Sequence, residues 1–283
     1  MLADNDPRTS AVDEIRDWSK DYVRRHPVRS METLGRQVIM GGRAIRYLVA
    51  DVFAWRFPFK EFVDQAAFMV KVSLIPTVAV ALPISATLSI QFGLLAGQVG
   101  ASSLAGAASG LAVIRQTAPL VTAVLLAAAV GSAICSDLGA RTIREEVDAM
   151  EVMGVSVLHR LVVPRLAAGI LVALALTGFS CFVGFLAGYL FNVYVQDGTQ
   201  GSFMATFSSF ATAGDLYLAM VKAVVFGAIV TIVACEKGLN TKGGPGGVAN
   251  SVNATVVASM ILLMVVNVGF TEMYTVLFPR TTL

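Results

Sequence analysis

The stretch of sequence that decides the fold is LAAGILVALALTGFSCFVGFLAGYLF, residues Leu166–Phe191. It contains no charged residue, and it is longer than the ~20 apolar residues that a helix needs to cross about 30 Å of hydrocarbon. Lipid offers the backbone no hydrogen-bond partner, so a single spanning segment must be a helix, in which the backbone groups pair with each other. The stretch therefore predicts a transmembrane helix.

The rest of the chain contains four more apolar runs and few charges. The 283 residues are 56% hydrophobic and 14% charged, whereas a soluble domain is about 25% charged. The net charge of +2 is too small to indicate a nucleic-acid partner. We therefore predict an all-α polytopic membrane protein with five transmembrane helices. The additional runs are about Val70–Ala96, Pro119–Cys135, Leu216–Cys235 and Val256–Phe278.

The N-terminal part of the chain is predicted to lie outside the bilayer core. Residues 1–30 are polar, lack the apolar run of a secretory signal, and are expected to form a cytosolic tail. Residues 31–68 are predicted to form an amphipathic helix in the headgroup plane and an elbow, because apolar residues recur there at helical spacing between arginines. A helix packed on a soluble partner is the alternative. The apolar positions are Leu34, Val38, Ile45, Leu48, Val49 and Val52, and the arginines are Arg36, Arg43 and Arg46.

The distribution of lysine and arginine predicts the orientation of the spans. Basic residues are concentrated before Lys60 and in the connections 136–165 and 236–251, whereas the connections 97–118 and 192–215 are poor in them. Cytoplasmic loops carry the excess of basic residues in membrane proteins. We therefore expect an inner (plasma) membrane protein with its N-terminus in the cytosol and its C-terminus on the outer, periplasmic side.

The most informative connection is Ser136–Arg165, which reads SDLGARTIREEVDAMEVMGVSVLHRLVVPR. Its centre predicts a short helix over about 142–154, which has Glu145 and Glu146 in its first turns and ends at Gly154. Such a helix, with carboxylates beside apolar side chains, is suited to be a rigid element that a soluble partner protein binds. The alternative is an ordinary loop between two spans, whose charges are only solvated.

Several segments resemble one family of permeases. Residues 118–165 contain EEVDAMEVMG at Glu145–Gly154, and they closely resemble the MlaE/YrbE family, the permease subunits of ABC-type lipid transporters that work with MCE proteins. The segment 237–259 is similar to the Gly-rich connection and the last span of that family. The segments 55–65 and 70–84 look like the A-type branch of the actinobacterial (mycobacterial) YrbE proteins.

The resemblance implies a fold, a function and a set of partners. Residues 69–279 would form the five-helix permease domain, and the chain would move hydrophobic lipids of the fatty acid, sterol or phospholipid class across the inner membrane. It would pair with a second YrbE-type permease, as a heterodimer. Two copies of a cytosolic ATPase would bind the ATP and the Mg, and periplasmic MCE proteins, six in the actinobacterial systems, would form a ring or tube outside.

The resemblance also assigns residues to two sites. The predicted helix corresponds to the coupling helix that sits in a groove of the ATPase. Its residues are Glu145, Glu146, Val147, Asp148, Met150, Glu151, Val152, Met153 and Gly154. The first and last spans are expected to line an apolar substrate cavity between the paired permeases. The residues predicted to line it are Ile75, Leu82, Leu88, Leu262, Val266 and Phe270.

The sequence contains no pattern typical of a catalytic, metal or nucleotide site. His26 and His159 are far apart and outside any HExxH motif. The three cysteines have no metal-ligand spacing. The run Gly243–Gly247 lacks the GK[ST] ending of a phosphate-binding loop and predicts a tight turn. We therefore expect no enzyme activity, metal or cofactor in this chain.

Ionisable residues within the spans are further candidates for function. Lys71 and Lys222 lie near the ends of their spans and are expected to extend the ammonium group to the interface. Glu272 lies further in, and is expected to face the cavity or to pair with a basic residue. Two other functions stay open: a scaffold that anchors MCE proteins without transport, and an ion-driven secondary transporter. An intramembrane enzyme is a third class, which no arrangement of residues within the spans supports. An inverted repeat would favour the secondary transporter, and a nucleophile–base or paired-carboxylate arrangement would favour the enzyme.

Overall fold

The computed structural model describes residues 33–51, 58–98, 100, 105–195 and 198–277, and these residues are almost entirely helical, with no strand among them. The predicted tail 1–30 and residues 31–32 and 52–57 of the predicted interfacial helix and elbow lie outside the described part. The chain divides into two compact units, and the second, which begins at Ala44, contains all of the long helices.

Five helices within the described residues are long and apolar enough to cross a membrane. This confirms the predicted all-α polytopic fold, and each span corresponds to one predicted apolar run. The spans are α2 (Phe59–Gln98), α3 (Ala108–Ile143), α5 (Leu158–Val195), α7 (Ala213–Leu239) and α8 (Gly244–Leu277). The other helices are α1 (residues 33–51), α4 (Glu146–Val152) and α6 (Gln200–Phe210).

Helix α1 carries exposed apolar residues. Leu34, Val38, Ile45 and Val49 are all exposed in the isolated chain. An amphipathic helix in the headgroup plane needs such an exposed apolar stripe, which it buries in the lipid. The position of α1 in the headgroup plane stays a prediction.

The bundle has a central group of spans and two outer ones. The central spans α3, α5 and α7 pack on each other, while α2 packs mainly on α5, and α8 packs on α7 and α3. The buried face of α2 consists largely of small residues, which let two helix backbones approach closely in a membrane. At one such contact the hydroxyl of Ser89 donates to the carbonyl oxygen of Gly188 on α5, at 3.3 Å. The small residues of the stripe are Ser73, Thr77, Ala81, Ser85 and Ser89.

Two glycines bring α5 and α7 together. A Cβ atom added at Gly227 would lie 2.6 Å from the carbonyl oxygen of Gly169, closer than real Cβ contacts come. Only a residue without a side chain allows this approach, so the pair fixes the distance between the two central spans.

Local signals in the sequence set the helix ends on either side of α7. Thr212 and Asp215 form a capping box at its start. The turn between α7 and α8 occupies residues 240–243, and Gly243 has a φ of 89°. The run Gly243–Gly247 was predicted to be the turn, but Gly244–Gly247 already belong to α8, because Pro245 is well tolerated in a first helical turn.

Candidate functional site

A sharp turn separates α4 from the span before it. Glu145 has a φ of 59°, in the left-handed region that few residues other than glycine adopt. Its N–H donates to the carbonyl oxygen of Thr142, three residues back, at 3.1 Å, so the four-residue spacing of the α-helix is broken there. For this reason Ile143 belongs to α3, and α4 is shorter than the helix predicted over about 142–154.

A glycine ends α4, as the sequence predicts. Gly154 has a φ of 76°, and its N–H donates to the carbonyl oxygen of Glu151 at 3.0 Å. The N–H of Val155 donates to the carbonyl oxygen of Met150 at 2.9 Å. These two bonds form a Schellman motif, which satisfies the last carbonyl groups of the helix. Both ends of α4 are therefore fixed, and the helix is a short projection from the bundle.

One side of α4 packs against its own chain, whereas the C-terminal end of the helix is exposed. Val147 is only 7% exposed, so it fixes α4 to the end of α3. Val152 is 90% exposed, and Met153 beside it is also exposed. The predicted coupling residues therefore divide into two groups. The exposed group is Glu145, Asp148, Glu151, Val152, Met153 and Gly154, while Glu146 and Met150 are half-buried and Val147 is buried.

Polar contacts tie both ends of this connection to other spans. Before α4, the hydroxyl of Thr142 donates to the carbonyl oxygen of Gly238 in α7, at 3.3 Å. After α4, the guanidinium of Arg160 pairs with the carboxylate of Glu61 in α2, with 2.6 Å between Nη2 and Oε1. A force applied to α4 would thus reach α2 and α7 as well as its neighbours in the chain.

The residues predicted to line the substrate cavity all lie on the two outer spans. Ile75 is 76% exposed and Leu82 is also exposed, and both face away from their own chain. These two would line a cavity only together with another chain. The remaining four, Leu88, Leu262, Val266 and Phe270, are half-buried.

Lys222 was predicted to extend its ammonium group to the interface. Instead, its side chain is fully buried. Its ammonium group donates to the side-chain oxygens of Asn267 and Thr271 in α8, at 2.9 Å and 2.8 Å. It also lies 3.5 Å from the carbonyl oxygen of Arg115 in α3, within a π-helical turn at Val113–Thr117. The prediction was wrong because α8 places two polar side chains, one turn apart, against this position, so the buried amine is satisfied without reaching water.

A second polar contact lies beside Lys222 at the same end of the bundle. Arg115 pairs with the buried carboxylate of Asp215, at 2.6 Å between Nε and Oδ1. The Asp215 carboxylate also accepts from the hydroxyl of Thr212 at 2.8 Å, and the guanidinium of Arg115 lies over the ring of Tyr274, 5.1 Å from its centre. This contact was not predicted from the sequence, because Asp215 lies at the start of a span and was assigned to a connection. These contacts join α3, α7 and α8.

The other two ionisable residues that were singled out, Lys71 and Glu272, are exposed on the outer spans. Lys71 lies on α2 and Glu272 on α8. Neither is among the residues that join the central spans.

Comparisons with known proteins agree with this architecture. The family model described as Permease MlaE matches residues 62–273. A probable ABC transporter permease protein of Synechocystis is 33% identical over 168 residues, which are 59% of this chain and 64% of that protein. A probable ABC transporter permease protein of Rickettsia bellii is 29% identical over 164 residues, 58% of this chain and 63% of that protein. The matched region spans just under two thirds of the length of these curated relatives.

A plant protein is similar over a larger part of the chain. The chloroplastic protein TRIGALACTOSYLDIACYLGLYCEROL 1 of Arabidopsis thaliana is 27% identical over 224 residues, which are 79% of this chain and 63% of that protein. The family match includes all five spans apart from the ends of the first and last, and it includes α4. This multi-pass membrane protein belongs to the MlaE permease family.

Proposed function

We propose that the chain is the permease subunit of an ABC-type lipid transporter and that α4 couples it to a separate cytosolic ATPase. The observation that carries the proposal is the exposed far end of α4, where Val152 and Met153 lie beside the carboxylates of Asp148 and Glu151. Apolar side chains can fill pockets on a partner, and carboxylates can accept charge-assisted hydrogen bonds from its basic residues.

The mechanical design of the connection supports this role. A coupling element must be stiff and must be joined to the moving spans. The Schellman motif and the turn at Glu145 fix the ends of α4, and contacts of Thr142 and Arg160 join the connection to α7 and α2. An ordinary solvated loop needs none of these contacts.

The distribution of charge supports a cytosolic position for α4. The connection that contains it is one of the basic ones, and basic connections face the cytosol. This orientation places the N-terminus in the cytosol and the C-terminus on the outer side of the inner membrane.

A lipid is the substrate that the spans fit best. The outward faces of α2 and α8 are apolar along most of their length, whereas a path for a small ion or a sugar usually contains more polar groups. The name of the Arabidopsis relative also contains the name of a lipid. We propose that fatty acids, sterols or phospholipids pass along the faces that contain Ile75, Leu82, Leu88, Leu262, Val266 and Phe270.

The other subunits of the transporter would be separate chains. The permease relatives are named as parts of ABC transporters, and we propose two copies of an ATPase that binds ATP and Mg. We further propose a second permease of the same family, in a heterodimer that closes the cavity between the outer spans, and six MCE proteins on the outer side.

Reconstituted transport tests the proposal. The chain would be co-expressed with the ATPase, the second permease and the MCE proteins, and the complex would be placed in liposomes with fluorescent fatty acid, sterol or phospholipid. We expect movement of at least one lipid class that requires ATP hydrolysis. A matched complex whose ATPase binds but cannot hydrolyse ATP is the control.

Two results would contradict the proposal. A complete complex that hydrolyses ATP but moves none of the lipids would favour a scaffold that only anchors MCE proteins. Movement that follows an imposed ion gradient and ignores ATP would favour a secondary transporter.

A further inference from the structure

A half-open cavity of about 170 Å³, with polar and apolar walls, lies where the ends of α2, α3 and α5 meet, at the same end of the bundle as α4. Its polar walls are formed by Glu61 and Gln65 of α2, Arg141 of α3, and Arg160 and Arg165 of α5. One water molecule occupies about 30 Å³ in the liquid, so the cavity has room for several waters or for a larger polar group.

Three guanidinium groups surround this cavity, and two carboxylates pair with them. Arg160 pairs with Glu61 at 2.6 Å. Arg141 pairs with Oδ1 of the Asp137 carboxylate, and Arg165 pairs with Oδ2 of the same carboxylate. Three positive charges against two negative ones leave the site with one positive charge. Each guanidinium has five N–H donors, so the two carboxylates leave many donors for a further acceptor.

Arg165 is the most buried arginine in the wall of the cavity, and it is only partly paired. Its side chain is only 3% exposed. One terminal nitrogen donates to the carbonyl oxygen of Leu161 at 2.8 Å, and the other donates to Asp137. The third, Nε, is buried and has no hydrogen-bond partner among the described residues. Buried polar groups in native proteins are nearly always paired, and an unpaired one in a charged side chain is especially unfavourable.

The position of the cavity at the end of a long span favours the level of the lipid headgroups. At 1.5 Å per residue, the 40 residues of α2 extend about 60 Å, roughly twice the ~30 Å of the hydrocarbon core. Glu61 and Gln65 lie in the first two turns of this helix, so we expect them to lie outside the hydrocarbon. Arg160 is more than half exposed at the edge of the cavity, so a group in the headgroup layer can reach it.

We propose that this cavity binds a phosphate group, and that the headgroup of an anionic phospholipid is the source that its position favours. A phosphate offers several oxygens in the geometry that guanidinium groups bind best. It would accept hydrogen bonds from the N–H groups of Arg141 and Arg160 that the two carboxylates do not use, and it would neutralise the excess positive charge. The site is separate from the predicted substrate cavity on the outer faces of α2 and α8, and the proposal does not depend on the proposed transport function.

Binding to the full-length chain in detergent tests this proposal. The probes are short-chain phosphatidylglycerol, a diacylglycerol with the same chains, and inorganic phosphate, and the readout is the dissociation constant from titration. We expect the phosphatidylglycerol to bind and the diacylglycerol to bind at least about tenfold more weakly. Binding of the phosphatidylglycerol alone assigns the site to a headgroup, whereas equal binding of inorganic phosphate assigns it to the free ion.

Two variants and a control locate the site. Arg141→Gln and Arg160→Gln each remove a guanidinium from the wall and leave Arg165 in place, and each should weaken binding about tenfold or more. Lys71→Gln removes an exposed positive charge from α2 away from the cavity and should leave the dissociation constant unchanged. The proposal is wrong if the probes with and without phosphate bind equally, or if both arginine variants, folded as judged by their thermal melting, bind like the unchanged chain. A cavity that holds only water would give the first of these results.

Discussion

The ammonium group of Lys222 in α7 donates to the side-chain oxygen of Asn267 in α8 at 2.9 Å, with both residues buried. This contact joins an outer span to the central group. Asn267→Leu removes one acceptor from a buried charge, which typically costs about 1–3 kcal/mol. We expect the free energy of unfolding in detergent micelles to fall by this amount, as measured by denaturant or thermal unfolding.

The control for this variant is Asn253→Leu, the same substitution at an exposed position of α8. It should leave the free energy of unfolding nearly unchanged. If both variants unfold alike, the contact between Lys222 and Asn267 does not stabilise the bundle.

The glycine contact between α5 and α7 predicts whether a change from glycine to alanine raises or lowers the free energy of unfolding. Replacement of glycine by alanine within a helix normally stabilises it by up to about 1 kcal/mol. At Gly227 the added Cβ would meet the carbonyl oxygen of Gly169, so Gly227→Ala should instead destabilise the chain by about 1–3 kcal/mol. Gly269→Ala is the matched control, because a Cβ there meets no atom within 4 Å. Equal stabilisation by both changes would show that the two spans are further apart than described.

The orientation of the spans can be measured by labelling. In a background without Cys135, Cys181 and Cys235, single cysteines would be placed at Met153 in the connection after α4 and at Thr282 near the C-terminus. A membrane-impermeant maleimide added to intact cells should label Thr282→Cys at once and Met153→Cys only after the membrane is permeabilised. The reverse order of labelling would place α4 outside and would remove the basis for coupling to a cytosolic ATPase.

The predicted substrate cavity can be tested by adding bulk to it. Leu82→Trp together with Val266→Trp would fill space on the outward faces of α2 and α8 and should lower lipid uptake by the reconstituted complex while assembly is retained. Leu171→Trp, at an exposed position of α5, controls for an added tryptophan in the membrane. Uptake that stays normal in an assembled double variant would exclude these faces from the lipid path.

The sequence predicts the parts of this protein that depend on local patterns. The five apolar runs predict the spans, and Gly154 predicts the end of α4, because length, hydropathy and turn chemistry are properties of adjacent residues. The contacts that join distant parts of the chain are different. The partners of Lys222 and Arg165 lie 45 and 28 positions away, and no local pattern indicates which polar residues will meet. The turn at Glu145 was also missed, because glutamate is a good helix former and few residues other than glycine adopt the left-handed conformation that it has here.

The structure divides α4 into a buried and an exposed side, which the sequence alone does not. This division indicates which residues should affect folding and which should affect a partner. Val147 fixes the helix to its own bundle, so Val147→Ala should act on folding rather than on a partner. Val152 and Met153 are free of the bundle, and changes there should act on a partner rather than on folding. We expect Val152→Asp with Met153→Asp to leave thermal stability in detergent unchanged.

The most direct test of coupling is the amount of ATPase that co-purifies with membrane-inserted chain when the exposed side of α4 is changed. The variants are Val152→Asp with Met153→Asp, and Glu145→Arg with Asp148→Arg, and the control is Asp64→Arg, an exposed carboxylate on α2 at the same end of the bundle. Loss of one paired charge at an interface costs about 2–5 kcal/mol, which weakens binding at least about 30-fold. We predict that both α4 variants lose the ATPase while the control retains it. Normal co-purification and lipid uptake in both α4 variants would show that α4 is only a connection between two spans.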